Sequence, residues 1–298
     1  MGRSIFKWPP PRRHYPFSVV FPSSNLSIYP TLKDKTEIAG AIARILAVYR
    51  VDSIVVFKDK ESTQEDYELL KIILSYLTIP PYLRKRIVPL IPELKYVGVL
   101  PPLNIATHNP EGKEPNVGDI REGVITTSWG YTGKAYIGYK EQCKVSASTE
   151  LRPGTRVLVR ITSRKPLRGE VVDPDKLNLY IGYRVLSASS ADELISILNK
   201  LNGLIVLTTK EGMPYNDIKL RRALVSEIVK LGGLILLLGN PKHDFNELAE
   251  GVLKEINVRF RINFIPHQGV YSVRTIEALA AVLAQLNTDM ITFKGERY

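Results

Sequence analysis

Gly233-Leu-Ile-Leu-Leu-Leu-Gly239 is an uninterrupted apolar run closed by a glycine at each end. It is far too short to cross a membrane. Because no polar position alternates with the apolar ones, it reads as a strand buried on both faces, the kind found in a parallel sheet covered by helices. Outward from this run, strand and helix patterns alternate. Tyr180–Ser187 reads as a strand, Ala191–Leu201 as a helix capped by Ser189 or Ser190, and Gly203–Thr208 as the next strand. Asp217–Leu231 has helical spacing, Arg259–Ile265 is the last strand and Ser272–Leu286 the last helix. Nearer the N-terminus, Phe17–Phe21 and Asp52–Lys58 are strands. Between them Leu32, Ile38, Ile42, Ile45, Leu46 and Tyr49 form one helical stripe over Thr31–Arg50. Ser62-x-x-Glu65 has the form of a capping box, opening a helix to about Leu77 before Pro80-Pro81. This alternation predicts an α/β fold with a mostly parallel sheet.

From Glu93 to about Leu177 the texture changes. Apolar runs shorten, Gly, Pro and Thr become frequent, and short strands such as Gly123–Thr127, Lys134–Gly138 and Arg156–Thr162 follow one another closely. That spacing predicts a small all-β barrel. The expected organisation is therefore a basic, flexible arm over 1–16, the first part of the α/β domain over 17–92, an inserted barrel over 93–177 and the rest of the α/β domain over 178–298.

Forty-one Lys and Arg against thirty Asp and Glu leave a net charge of +11. Such an excess serves solubility, or attracts a polyanion if it is clustered. Clusters are present. Arg152, Arg156, Arg160, Arg164, Lys165 and Arg168 occur within Leu151–Arg168 without an acidic residue. Strand periodicity places Arg156, Arg160 and Arg164 on one face and turns Val157, Val159 and Ile161 to the core. Such a row suits a phosphate backbone, or else is a charged guard on an edge strand. Arg12 and Arg13 in the arm and Arg84 after Pro80-Pro81 are further candidate nucleic-acid contacts. Tyr131, Tyr136 and Tyr139 are candidates for stacking bases, unless they belong to the barrel core.

The single cysteine, Cys143, excludes an internal disulfide framework and a multi-cysteine zinc site. The four histidines lie far apart, so no metal is expected. The start, MGRSIFKWPPPRRHYP, has no apolar core of the secretory kind. The chain is expected to be soluble and cytoplasmic, with no membrane partner.

Ligands of open α/β sheets bind beyond the carboxyl ends of the strands. Three segments there carry both glycine and proline: Thr208-Thr-Lys-Glu-Gly-Met-Pro214, Gly239-Asn-Pro-Lys242 and Pro266-His-Gln-Gly-Val-Tyr271. Together they are able to hold a flat purine through backbone groups, or they are simply turns. No GxGxxG, GxxxxGK[ST] or GxSxG occurs, so dinucleotide, P-loop and serine-hydrolase readings lack their signatures.

Asn263-Phe-Ile-Pro-His-Gln-Gly-Val-Tyr-Ser-Val-Arg-Thr-Ile-Glu-Ala278 resembles the last motif of the SPOUT methyltransferases. It is most similar to an archaeal and eukaryotic branch of RNA methyltransferases, in which Pro-x-Gln-Gly precedes an Arg-Thr-x-Glu-Ala helix start. Ser18–Pro22, Ile38–Ala43, Val51–Phe57, Pro81–Lys85 and Arg121–Val124 resemble that branch too. The resemblance implies a C-terminal trefoil knot, a homodimer, an inserted oligonucleotide-binding-like barrel and S-adenosylmethionine as methyl donor. It also implies that the donor meets Thr208, Thr209, Gly212, Gly239, Ile265 and Gln268, with Asn240 as a further contact. Arg274 is the first candidate for stabilising an anionic acceptor, or else it pairs with Glu277. Gln268 is a candidate for bonding donor or base, or for bracing its own turn. His267 is a candidate proton acceptor, or a solvated loop residue. The implied activity is methylation of RNA, with N3 of a ribosomal RNA uridine first among acceptors. Ribose 2′-O-methylation and a non-catalytic RNA-binding or ribosome-assembly role are the competing readings.

Overall fold

The computed structural model describes residues 8–294. The chain divides into two compact units. One comprises Tyr76–Ile91 and Pro102–Ile181 with residues 8–12. The other comprises Arg13–Ser75, Pro92–Pro101 and the chain from Gly182 onward.

The first elements are β1 (Phe17–Pro22), α1 (Leu32–Val48), β2 (Ser53–Phe57), α2 (Gln64–Leu77) and α3 (Pro81–Ile87). Then come β3 (Ile120–Ser128), β4 (Thr132–Tyr136), β5 (Cys143–Ser146), β6 (Arg156–Arg164) and β7 (Leu167–Val172). The remainder is β8 (Arg184–Ala188), α4 (Ala191–Lys200), β9 (Leu204–Pro214), α5 (Ile218–Leu231) and β10 (Leu234–Leu237). It ends with α6 (Phe245–Leu248), α7 (Val252–Glu255), β11 (Val258–Asn263) and α8 (Thr275–Lys294).

The larger unit is built on a six-stranded sheet in the order β11-β9-β10-β1-β2-β8, parallel throughout. Every residue of β1, β2 and β10 is buried: β10 is wholly apolar, and the two polar residues of the other strands, Ser18 and Ser53, bond each other at 2.8 Å. The Asp52 carboxylate fixes the start of β1 by accepting from the Phe17 N–H at 2.9 Å. Helix starts obey their caps: Thr31, Ser190 and Asp217 accept from the backbone N–H groups of Asp34, Glu193 and Lys219. Helix α5 ends at Gly232, whose φ of 76° is the left-handed stop that glycine adopts without strain.

Several expectations shift. The strand expected from Tyr180 begins at Arg184, and α8 runs past Leu286 to Lys294. In place of the capping box expected at Ser62 and Glu65, the helix is capped one residue later by Thr63, whose hydroxyl accepts from the Asp66 N–H, while Ser62 is engaged by Ser23 and Asp59 and the Asp66 carboxylate by Ser27 and Lys35. Short helices α6 and α7 have no periodicity long enough to be read from sequence. The segment Thr208–Pro214, expected as a loop, belongs to β9.

In the smaller unit, β3-β4-β5-β7-β6 close into a barrel. Ile125, Ala135, Val145, Val159, Ile161 and Leu167 fill it. Cys143 is among them, and burial pushes its thiol up to about 12. Helix α3 packs on this unit: Tyr82 and Leu83 meet Val124 and Tyr136, and the Tyr82 hydroxyl donates to the Glu122 carbonyl at 2.7 Å. His108 lies in the same unit, buried, with its Nε2 3.3 Å from the Thr78 carbonyl; desolvation pushes its pKa down to about 4.

Two predictions follow from burial. His108 stays neutral when folded and protonates near its ordinary value when unfolded, so the unfolded chain binds the extra proton. Stability is expected to be full above about pH 6.5 and to fall between there and about pH 4. Urea unfolding across that range should show the loss, and His108→Gln should flatten it. In the sheet unit, Asp289 is fully buried and accepts from the Tyr215 hydroxyl at 2.6 Å and from Arg221 Nε at 2.9 Å. Asp289→Ala should cost about 3 kcal/mol, read from the urea midpoint, because it strands both partners.

Candidate functional site

Strand β9 follows its partner β11 only as far as Leu207, which faces Arg261. The next pairs are Met213 with Ile262 and Pro214 with Asn263. Residues 208–212 therefore bow out of the ladder and return. The return depends on Gly212. A Cβ there would lie 2.6 Å from the Ile262 nitrogen and 2.7 Å from the Arg261 carbonyl carbon, closer than real Cβ atoms come. The bow is braced at its first three residues: the Thr208 hydroxyl donates to the Leu237 carbonyl (3.0 Å) and the Thr209 hydroxyl to Asp244 (2.7 Å). The Asn263 amide holds the Lys210 carbonyl (2.9 Å).

The second loop leaves β10 through Leu238 and Gly239. Asn240 N–H donates to the His243 carbonyl (2.9 Å), while the Asn240 side chain accepts from the backbone of Lys242 (2.9 Å) and His243 (2.7 Å). A Cβ on Gly239 would lie 2.5 Å from the His243 oxygen, so this tight turn excludes any side chain. Asp244 then caps α6 in a capping box with Glu247.

The third loop follows β11. Asn263 Oδ1 accepts from the Ile265 N–H, and His267 adopts a left-handed φ of 58°. The Gln268 amide donates to the carbonyls of Val270 (2.9 Å) and Tyr271 (3.2 Å), so it braces its own turn. The Ser272 hydroxyl reaches the Pro241 carbonyl, and the Thr275 hydroxyl the Gly239 carbonyl at 3.1 Å, tying the third loop and the start of α8 to the second loop.

Between these loops is a cleft of about 890 Å³. Thr208, Thr209, Gly239, Asn240, Ile265 and Gln268 line it, as do apolar Leu207, Leu238, Phe264 and Val282. Gly212, His267 and Arg274 are not in its wall: Gly212 packs against β11, and His267 and Arg274 are exposed. Arg274 nevertheless sits between two wall residues, Val273 and Thr275. Glu277 accepts from its backbone N–H at 3.0 Å, so that carboxylate caps α8 instead of holding the guanidinium. Lys210, Lys242, His243 and Asp244 also border the cleft. Asp244 was missed as a site residue, because a lone Asp before a short helix carries no signal of its distant partner Thr209.

Residues 16–286 match the family model described as "Putative RNA methyltransferase". The chain belongs to that family. Among relatives of this RNA methyltransferase, an uncharacterized protein of Haloarcula marismortui is 30% identical, covering 90% of this chain and 98% of its own. The 28S rRNA (uridine-N(3))-methyltransferase of Homo sapiens is 32% identical, covering 94% and 80%. The Drosophila melanogaster protein of the same name is 29% identical over 92% of this chain and 62% of its own.

The candidate RNA contacts fare differently. Arg13 is buried: its Nε donates to the Tyr49 carbonyl (3.0 Å), it reaches Asn287, and its guanidinium lies 4.3 Å from the Phe17 ring centre. These contacts anchor Arg13 to the larger unit; residues 1–7 of the expected arm lie outside the described residues. Arg12 pairs with Asp175 at 3.3 Å. Arg84 donates to the Ile79 carbonyl and stacks on Tyr76. On β6, Arg156 is held by Glu122 at 2.6 Å, Arg160 by Glu170 at 2.8 Å and Arg164 by Glu114. A register shift after Ile161 sets Arg164 opposite Leu167, a core residue, so it leaves the row. The acids that answer this row lie on other segments, where a reading along β6 does not meet them. Tyr136 is buried, Tyr139 packs against the barrel core and Tyr131 is exposed.

Gly239→Ala is expected to lower stability by about 1–3 kcal/mol by forcing the second loop open. An unfolding midpoint equal to wild type would show that the turn has slack.

Proposed function

We propose that this RNA methyltransferase takes its methyl group from S-adenosylmethionine held in the three-loop cleft and delivers it to N3 of a ribosomal RNA uridine. The observation that carries the donor reading is the convergence of the bow in β9 and the loops after β10 and β11 on one cleft at the carboxyl edge of the sheet. The cleft is large enough for a nucleoside-sized ligand. Its donor set also fits: backbone groups, hydroxyls and amides for an adenine edge and ribose, with Leu207, Leu238, Phe264 and Val282 for the flat face. When bound, the donor supplies an electrophilic methyl carbon.

The acceptor reading is supported by relatives, about 30% identical over most of this chain, that are named as 28S rRNA (uridine-N(3))-methyltransferases. Methylating an N–H nitrogen requires that its proton leave and that the resulting anion be tolerated. Arg274 is exposed at the start of α8, with Glu277 turned to the backbone instead of the guanidinium. Its chain neighbours Val273 and Thr275 line the cleft, which supports a role for it beside the acceptor base. His267 and Gln268 flank the same rim, Gln268 as a brace. The reading extends to a SPOUT-type knotted homodimer. In support, Val270 and Tyr271, beside the cleft, are 57% and 94% exposed, an apolar edge that a second copy would cover.

Calorimetric titration with S-adenosylmethionine should show one site per chain, weakened by Thr209→Val. Mass-spectrometric mapping of ribosomal RNA from cells with and without the protein should locate a lost 3-methyluridine. Arg274→Ala should slow methyl transfer roughly a hundredfold while leaving donor affinity near wild type. A loss confined to donor affinity would remove Arg274 from the reacting centre, and a lost 2′-O-methyl group would replace the acceptor assigned here.

A further inference from the structure

The barrel carries a second basic row that does not follow any single strand. Lys134 on β4 lies opposite Lys144 on β5, and Lys144 opposite Arg168 on β7. Their neighbours along each strand, Gly133 and Ala135, Cys143 and Val145, Leu167 and Gly169, are buried, so the three cations share the outer surface. At a strand spacing of about 4.8 Å the row runs about 10 Å across the barrel wall. Among the described residues none of the three forms an ion pair with an acid. The acid closest in register, Glu170, is taken by Arg160. Flanking positions Thr132, Ser146 and Ser163 are neutral.

Like charges directly opposite one another destabilise a sheet. A row of three is thus a cost to folding that the barrel core gains nothing from. Beside it, the β3–β4 hairpin turns at Gly130, at φ 79°, with Trp129 donating its N–H to the Thr132 carbonyl at 2.8 Å. This tight turn displays Trp129 and Tyr131 at 60% and 63% exposure, and Lys134 lies 6.0 Å from the Trp129 ring centre. Two large exposed aromatics next to unpaired cations combine the two elements that bind a single strand: π-faces for bases and charge for the phosphates between them.

We infer that the face formed by Lys134, Lys144, Arg168, Trp129 and Tyr131 is the barrel's binding platform for single-stranded RNA, in place of the neutralised arginine row on β6. This rests on the reading of the protein as an RNA methyltransferase, but concerns RNA capture, not methyl transfer.

The test is fluorescence anisotropy of the full-length protein with a labelled single-stranded uridine 12-mer at several salt concentrations. Lys134→Ala, Lys144→Ala and Arg168→Ala combined should weaken binding at least tenfold. It should also reduce the slope of log affinity against log salt by about 2, as expected for three lost phosphate contacts on a single strand. Trp129→Ala should weaken binding about tenfold with little change in slope, and Trp129→Phe should restore most of it. Arg156→Ala with Arg160→Ala should have a smaller effect than the triple variant. Wild-type affinity in the triple variant, a larger loss from the Arg156 and Arg160 pair, or failure of Trp129→Phe to recover binding would each overturn the assignment. So would a wild-type protein that binds S-adenosylmethionine but no RNA strand. Intact RNA binding without donor binding would instead count against the cleft reading and leave this face standing.

Discussion

The cleft depends on a steric constraint between two backbones. Strand β9 leaves its ladder with β11 after Leu207, bows outward over residues 208–212, and rejoins it at Met213. Rejoining brings main chain against main chain at Gly212, where there is no room for a side chain. The bow is what carries Thr208 and Thr209 to face the loops after β10 and β11. Those hydroxyls, bonded to the Leu237 carbonyl and to Asp244, then hold the bow to its neighbour. Glycine at 212 therefore acts at one remove, by permitting the path that positions other groups, and Gly239 does the same for the tight turn after β10.

Charge on the barrel follows a different logic from charge in the sequence. Cations that are contiguous along β6 are answered across the sheet by Glu122 and Glu170, and from another segment by Glu114. Burial pushes the Glu122 carboxyl up and Arg156 opposes it, whereas Arg164 holds the exposed Glu114 carboxyl below its usual range. The two exposed pairs, Arg160 with Glu170 and Arg164 with Glu114, add little to stability. Their consequence is electrostatic: they weaken the pull of β6 on a polyanion. Lys134, Lys144 and Arg168 are far apart in sequence and become one feature only through antiparallel and parallel register.

Much of the fold was legible because its signals are local. The unbroken apolar run of β10 identified a strand buried on both faces, the apolar residues of β1 and β2 identified two more strands, and Thr31, Ser190 and Asp217 marked helix starts through side chains that bond three residues away or fewer. The bow of β9 was read as a loop because its residue types, with Gly212 and Pro214, are those of a turn; only its partner β11 makes it a strand. The cleft was located by the same residues, since glycine and proline at three strand ends are visible in one dimension. Which of them face the ligand was not visible. Gly212, His267 and Arg274 differ from Thr208 and Asn240 in orientation, and orientation is set by contacts between segments far apart in the chain. Arg13 shows the same limit: a basic residue in a proline-rich stretch looks solvated until Phe17, Tyr49 and Asn287 enclose it.

The lone cysteine has a practical meaning. Cys143 is wholly enclosed by the barrel, with a thiol that burial keeps protonated. A thiol-reactive probe can reach it only when the strands around it part. The protein thus contains a native chemical clock for the opening of one of its two units. The rate at which that sulfur is labelled, with and without nucleic acid, would register the rigidity of the barrel while remaining blind to events in the parallel sheet.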